Sequence, residues 1–369
     1  MIKIIRWIRS NFVLFIAFCL AVITAFVIPP DSEYVGYFDF KTLACLFCTL
    51  AVICALKNIR FFTVLARAIV HATGNLRSAV LALVFITFFG SMLIANDMAL
   101  ITFLPLGFYV LSSTNKKEHM AFVFVMQNIA ANLGGMLTPF GNPQNLYLYS
   151  HFEIPTGEFV TIMLPPFLAA TVLIVICCLF VKPEKIDLSE KEDEQLPAGR
   201  TAVYLVLFAV SISVVFHAIP YLLGTAIVLV SLLFLDRKAL LRVDYSLLLT
   251  FTCFFIFAGN LARVELVHTL LSSLLEKSTL LVSILSCQII SNVPSAILLS
   301  QFTADYPSLL LGVNIGGTGT LIASLASLIT FSEFRLLYPG HSKQYFWMFT
   351  GINVGFLVVM TVAAKLFFL

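Results

Sequence analysis

Long apolar runs, broken at a few places by short polar clusters, dominate the chain. Runs long enough to cross a bilayer lie at about 11–29, 42–56, 121–148, 158–181, 201–216, 220–235, 246–260, 307–332 and 346–367, since roughly 20 apolar helical residues cover the hydrocarbon core. Nine crossings follow. Two further apolar runs, 78–112 and 279–302, are interrupted at Asn96-Asp97 and at Ser291-Asn292. Each reads as a re-entrant hairpin, because non-helical backbone at membrane depth persists only where protein or a water-filled cavity surrounds it. Stretches 59–72 and 261–276 place polar residues at helical spacing, with Arg60, Thr63, Arg67 and His71 in the first. They read as helices lying in the membrane interface. The expected fold is an all-α polytopic membrane protein.

Composition and charge fix the orientation. Of 369 residues, 60% are hydrophobic and 11% charged, against about 25% charged in soluble domains. With a cytoplasmic N-terminus and nine alternating spans, 18 of the 22 Lys and Arg fall on the cytoplasmic side. Lys41, Arg263, Lys277 and Lys365 fall outside. This positive-inside bias has the first hairpin opening to the cytoplasm, the second to the outside, and the C-terminus outside, in an inner or plasma membrane. The run 12–28 follows Lys3, Arg6 and Arg9 but ends at Pro29-Pro30 without a small-x-small site, so it reads as a retained span rather than a signal peptide. A net charge of +3 without a basic stripe argues against a nucleic-acid partner. The eight cysteines lie in apolar runs and read as packing residues, and the six histidines fall in loops or at span ends. The polar segment 182–200 reads as a cytoplasmic linker between a first half, 1–181, and a second, 201–369.

The chain also resembles itself. IANDMA at 94–99 aligns with ISNVPS at 290–295, pairing Asn96 with Asn292. NLGGMLTPFGN at 132–142 aligns with NIGGTGTLIAS at 314–324. That alignment pairs Asn132 with Asn314, Gly134-Gly135 with Gly316-Gly317, Thr138 with Thr320, and Asn142 with Ser324. Five crossings separate the starts of the two copies, so they run in opposite orientation. Inverted repeats with interrupted helices point to a transporter with its site near the midplane.

The chemistry of the breaks agrees with that reading. Gly-Gly and proline weaken a helix, so 121–148 should unwind at 134–141. Asn142-Pro143 reads as an N-cap followed by proline at the first helical position, with Ser324 as the matching cap. Unwound carbonyls and Asn, Ser and Thr oxygens suit Na⁺, and the restarted helix ends suit an anion. The candidate substrate and ion site comprises Ala95, Asn96 and Asp97 at one tip and Ser291, Asn292 and Ser295 at the other. Asn132, Gly134, Gly135, Thr138, Gly141, Asn142 and Asn145 come from the first break, and Asn314, Gly316, Gly317, Thr318, Thr320 and Ser324 from the second. Asn96, Asp97 and Asn292, with loop carbonyls, are the candidate Na⁺ ligands. No Lys or Arg lies deep, and Asp97 is the acidic residue placed at mid-depth. A carboxylate there needs a cation or a proton.

These motifs, with ANDMALITFLPL, SNVPSAILL and VNIGGTGTLIASLASLI, resemble the ion transporter superfamily over nearly the whole chain. That superfamily includes citrate–metal and arsenite permeases, sodium/dicarboxylate symporters and one class of sodium/proton antiporters. The chain looks most like its compact bacterial anion permeases. The resemblance implies a homodimer with elevator-like transport domains, and Na⁺ or H⁺ held with substrate between the tips and broken helices. The tips depart from the Ser-Asn-Thr of the dicarboxylate branch, and Asn-Asp looks more like the arsenite branch. The first repeat also lacks a counterpart of span 201–216. Cation-coupled transport of a carboxylate or inorganic oxyanion is the leading expectation, with arsenite efflux and Na⁺/H⁺ exchange as alternatives on the same fold. An intramembrane enzyme would need a second deep acid, a deep base or a metal cluster, which the sequence does not offer. A channel would conduct without a coupling gradient.

Overall fold

The computed structural model describes residues 11–186 and 196–368. Lys3, Arg6, Arg9 and the linker residues 187–195 lie outside the described residues. Helices make up most of the described chain, and no strand occurs among the described residues. The first half contains α1 (Phe12–Val27), α2 (Phe40–Asn58), α3 (Phe61–His71), α4 (Leu76–Ile94), α5 (Asn96–Ser113), α6 (Met120–Gly134), α7 (Pro143–His151) and α8 (Thr156–Leu179). The second contains α9 (Ala198–Val215), α10 (Tyr221–Leu235), α11 (Arg237–Leu241), α12 (Tyr245–Ala262), α13 (Glu265–Ile290), α14 (Asn292–Leu299), α15 (Tyr306–Ile315), α16 (Leu325–Leu337) and α17 (Ser342–Ala363).

Eight helices among the described residues are long and apolar enough to cross a membrane. The protein is a multi-pass integral membrane protein. Its packing is that of a protein whose outer solvent is lipid. Phe26, Phe180, Leu222 and Phe234 stand exposed on the outside. Asn96, Asn128, Asn132, Asn142, Gln144, Asn145, Asn292 and Asn314 are buried within. α6, α7 and α15 are buried on nearly every face, as helices at the centre of a bundle must be. α1 packs along α12, while α9 and α10 pack on α2.

Both long interruptions are helical hairpins turned by one residue. α4 and α5 meet at Ala95, and Gly90 faces the Phe103 ring across the pair. α13 and α14 meet at Ser291, with Ser286 and Ser295 hydroxyls 2.8 Å apart. The hairpins differ in length. α13 bends at Ser278, so the arm 279–290 spans about 18 Å and α14 about 12 Å, well short of a hydrocarbon core of about 30 Å. α4 and α5, of 19 and 18 residues, each reach about 27–28 Å. The start of the linker is also less free than its polarity implied. Glu184 accepts from the Leu76 N–H through its carbonyl at 2.8 Å and pairs with Lys116 through its carboxylate, while Arg77 donates to the Val181 carbonyl at 2.7 Å.

Candidate functional site

Two turns that an L-residue rarely adopts bring the site together. Ala95 sits at φ 60°, ψ 149° and Ser291 at φ 75°, ψ 159°, a region that costs about 1–3 kcal/mol. The same four groups hold each turn. The Asn96 N–H donates to the Gly141 carbonyl (3.2 Å), and the Asn292 N–H to the Ala323 carbonyl (2.9 Å). The Asn96 Oδ1 accepts from the Asp97 N–H (2.9 Å), and the Asn292 Oδ1 from the Val293 N–H (3.0 Å). A further pair matches across the repeat: Thr138 donates to the Met92 carbonyl at 2.8 Å and Thr320 to the Gln288 carbonyl at 3.4 Å. Each break loop is thus hung on the hairpin of its own half.

The breaks themselves lie where glycine and proline place them. α6 ends at Gly134, a short 3₁₀ turn follows over Gly135–Leu137, and α7 restarts at Pro143. A Cβ at Gly134 would lie 2.3 Å from the Phe88 carbonyl oxygen, so glycine lets the broken helix touch the backbone of α4. In the second loop Gly319 takes φ 110°, which favours glycine.

Side-chain amides tie the two loops into one cluster. Asn314 donates to the Asn145 Oδ1 at 2.6 Å and accepts from Asn142 and Gln144, both at 3.3 Å. Asn142 also donates to the Asn132 carbonyl at 3.1 Å, and Asn96 donates to the Asn132 Oδ1 at 3.2 Å. Gly317 faces the Asn292 amide, to which a Cβ there would lie 3.1 Å. The candidate asparagines at 96, 132, 142, 145, 292 and 314 therefore share one site. Three candidates turn away from it. Ser295 is spent inside its hairpin, Thr318 bonds back to the Ile315 carbonyl at 2.7 Å, and Thr320 is exposed. Ser324 caps α16 as expected, accepting from the Ser327 N–H at 3.2 Å. Asn142 has the extended backbone of a cap, but its side chain makes no capping bond; it reaches across to the other half, because the Asn132 carbonyl and Asn314 offer it buried partners.

Three unassigned residues belong here. Gln144 lies inside the motif already read and joins the network. Asn128 links α6 to Thr330 and Ser327 of α16 at 3.4 Å each. Gln288 grips the second loop: it donates to the Gly316 and Thr318 carbonyls (2.8 and 3.1 Å) and accepts from the Thr320 N–H (2.9 Å). A polar side chain three residues before a hairpin tip, within an apolar run, was the signal for it.

A cavity of about 460 Å³ opens beside the cluster. Asn96 and Asp97, Ser291 and Asn292, and Gln144 line one side, and Phe12, Ile16, Leu247 and Phe254 the other. A smaller void of about 60 Å³ touches Asp97, Asn142 and Asp244. No Lys or Arg lines either among the described residues. Three buried oxygens there accept no hydrogen bond from the described residues: Asp97 Oδ1, Asn142 Oδ1 and Gln144 Oε1. Such acceptors are costly to leave bare, and they suit a cation, a proton or a ligand donor.

The expected Na⁺ ligands fit less well. Asn96 Oδ1 and Asn292 Oδ1 already accept backbone N–H groups. The carbonyls of Gly135, Met136 and Thr138 all receive the Asn145 amide, at 3.1–3.4 Å. The oxygens of Asn96 and Asn292 named for Na⁺, and these loop carbonyls, are thus already engaged by donors of the protein itself.

The comparisons agree with this architecture. Residues 1–307 match the family described as CitMHS: Citrate transporter. The chain is 30% identical to the uncharacterized transporter MJ0456 of Methanocaldococcus jannaschii, over 96% of this chain and 97% of that protein. It is 30% identical to the inner membrane protein YbiR of Escherichia coli, over 78% and 77%. A 27% match to the silicon efflux transporter LSI3 of Oryza sativa covers 47% of this chain and 35% of that protein.

Proposed function

Since the chain belongs to the citrate transporter family CitMHS, we propose that it is a secondary active transporter of a small carboxylate or inorganic oxyanion, coupled to Na⁺ or H⁺. The observation that carries this is the cavity of about 460 Å³ between the two hairpin tips, where the half-buried Asp97 leaves one shielded oxygen without a partner. An unpaired carboxylate at that depth is neutralised by the ion it carries. With Asp97 neutralised, no acidic side chain among the described lining residues of the cavity opposes a bound anion. Two inverted halves, re-entrant hairpins and broken helices supply the parts for alternating access. In this reading the tips and breaks move together against α1 and α12, as an elevator in a homodimer.

A second reading is favoured by one observation. The cavity has no basic side chain among its described lining residues, so a neutral hydroxy-acid such as arsenite would be held without a missing counter-charge. Its direction would be export, the activity named for the silicon efflux relative.

Charge movement on a solid-supported membrane carrying the reconstituted protein tests both. Jumps of citrate, succinate, sulfate and arsenite are applied with and without Na⁺ and at two pH values. A current that one anion elicits, that needs Na⁺ or a pH change and that Asp97→Asn loses supports the proposal. Currents from Na⁺ and pH jumps alone, indifferent to every anion, would replace it with cation/proton exchange.

A further inference from the structure

The two break loops close on themselves in a way that bears on the coupling ion. In each, backbone carbonyls turn inward, and in each a side-chain amide nitrogen sits where they converge. Asn145 Nδ2 lies 3.4, 3.1 and 3.4 Å from the carbonyl oxygens of Gly135, Met136 and Thr138. Gln288 Nε2 lies 2.8 and 3.1 Å from those of Gly316 and Thr318, and 3.2 Å from that of Ile284. Chemistry fixes the orientation of both amides. Carbonyls only accept, so the group facing them is the NH₂. At the other end of each amide the oxygen has its own donor: Asn314 Nδ2 reaches Asn145 Oδ1 at 2.6 Å, and the Thr320 N–H reaches Gln288 Oε1 at 2.9 Å. Flipping either amide would oppose oxygen to oxygen at one end and N–H to N–H at the other.

The two amides come from different places. Asn145 belongs to the restarted helix α7, Gln288 to the hairpin arm α13. The repeat pairs Asn145 with Ser327 and Gln288 with Met92, so neither half borrows its solution from the other. Both nevertheless place an N–H₂ group, which carries partial positive charge, against carbonyl oxygens of a break loop, three in the first and two in the second, where the third is the Ile284 carbonyl of Gln288's own helix. That is the electrostatic role a bound alkali cation would play in an unwound segment.

We propose that Asn145 and Gln288 are positioning residues that replace a metal ion in the two break loops, so that the site of this transporter assembles without Na⁺. The inference rests on the transport reading for its meaning but on loop geometry for its content. It leaves Asp97 as the group at which a coupling ion, H⁺ in the first place, is bound. It also accounts for the loop carbonyls that converge on these amides: a donor of the protein itself already engages them.

Thermal unfolding of the purified full-length protein tests this without requiring any transport. Melting is followed at pH 8 while NaCl replaces choline chloride at constant ionic strength. The wild type is expected to melt at the same temperature throughout. Gln288→Glu and Asn145→Asp exchange the N–H₂ for a carboxylate oxygen and set oxygen against carbonyl oxygen. Each is expected to melt lower in choline, and to recover saturably as Na⁺ enters the cradle. A saturable Na⁺ stabilisation of the wild type would overturn the proposal. So would variants that melt lower and ignore Na⁺, because the amide would then fill no cation's place. If Asn145→Asp does not fold, Gln288→Glu, whose loop reaches the exposed Thr320, gives the answer together with the wild type. A transporter whose currents fail in every anion jump but whose melting is Na⁺-indifferent would sink the functional reading and leave this one standing.

Discussion

The two hairpin tips share a skeleton and differ in chemistry. At Ala95-Asn96-Asp97 and at Ser291-Asn292-Val293, a positive-φ residue is followed by an asparagine. Its N–H is held by a loop carbonyl, and its side chain caps the next N–H. The first tip then offers a carboxylate with a bare oxygen, where the second offers valine. The arms of the first hairpin reach about 27–28 Å, while those of the second reach only about 18 and 12 Å. The hydrogen-bonded frame is common to both tips, and the residue after the asparagine, Asp97 in one and Val293 in the other, sets their charge apart. The lesson is that coupling should reside in the first half and structural support be shared by both.

The largest effect should come from erasing that difference. Asp97→Asn makes the first tip as uncharged as the second, and gradient-driven charge movement should vanish while the protein still inserts and elutes as a folded species. Full activity in this variant would place the coupling elsewhere. Next in size is the link between the halves. Asn314→Ala strands Asn145 Oδ1 and the Gln144 amide and takes one of two acceptors from Asn142, and should cost about 2–4 kcal/mol of stability, read as a lowered melting temperature in detergent. An unchanged melting point would mean that the loops do not depend on each other.

Smaller effects separate packing from capping. Gly134→Ala pushes a Cβ into the Phe88 carbonyl, a clash with backbone that cannot rotate away, and should destabilise by about 1–3 kcal/mol. Gly157→Ala, which meets nothing within 4 Å, serves as the control and should be near neutral. Smallest is Ser324→Ala, the loss of one cap bond at about 1 kcal/mol. Asn142→Ala, the residue paired with it in the repeat, should cost more, because its side chain joins the halves rather than capping a helix. Equal melting points for those two variants would contradict the asymmetry drawn here.

Much of the protein was legible in its residues. Apolar run length and the interrupting Asn96-Asp97 and Ser291-Asn292 predicted the helices and both tips to within a few residues, because a bilayer forces backbone groups to pair within a segment. Gly-Gly and Asn-Pro located the first break, since both act through local backbone geometry. The repeat singled out Asn132 and Asn314 as equivalent positions, and both lie in the amide cluster, joined through Asn142. Gln288 escaped notice because its partners are carbonyls some 30 positions away, and carbonyls are the same in every residue. The failure of Asn142 to cap has the same source: its backbone conformation is local, but the choice between a capping bond and a cross-link to Asn314 depended on what stood opposite.

The sequence alone therefore determined the class of protein, the positions of the helices and the places where they break, all consequences of short-range backbone chemistry and apolar length. Only the tertiary structure decided which oxygens are free. Whether a carbonyl, Asn96 Oδ1 or Asp97 Oδ1 can receive an ion depends on which donors the fold has brought within about 3 Å, and those donors come from segments that the chain order keeps far apart.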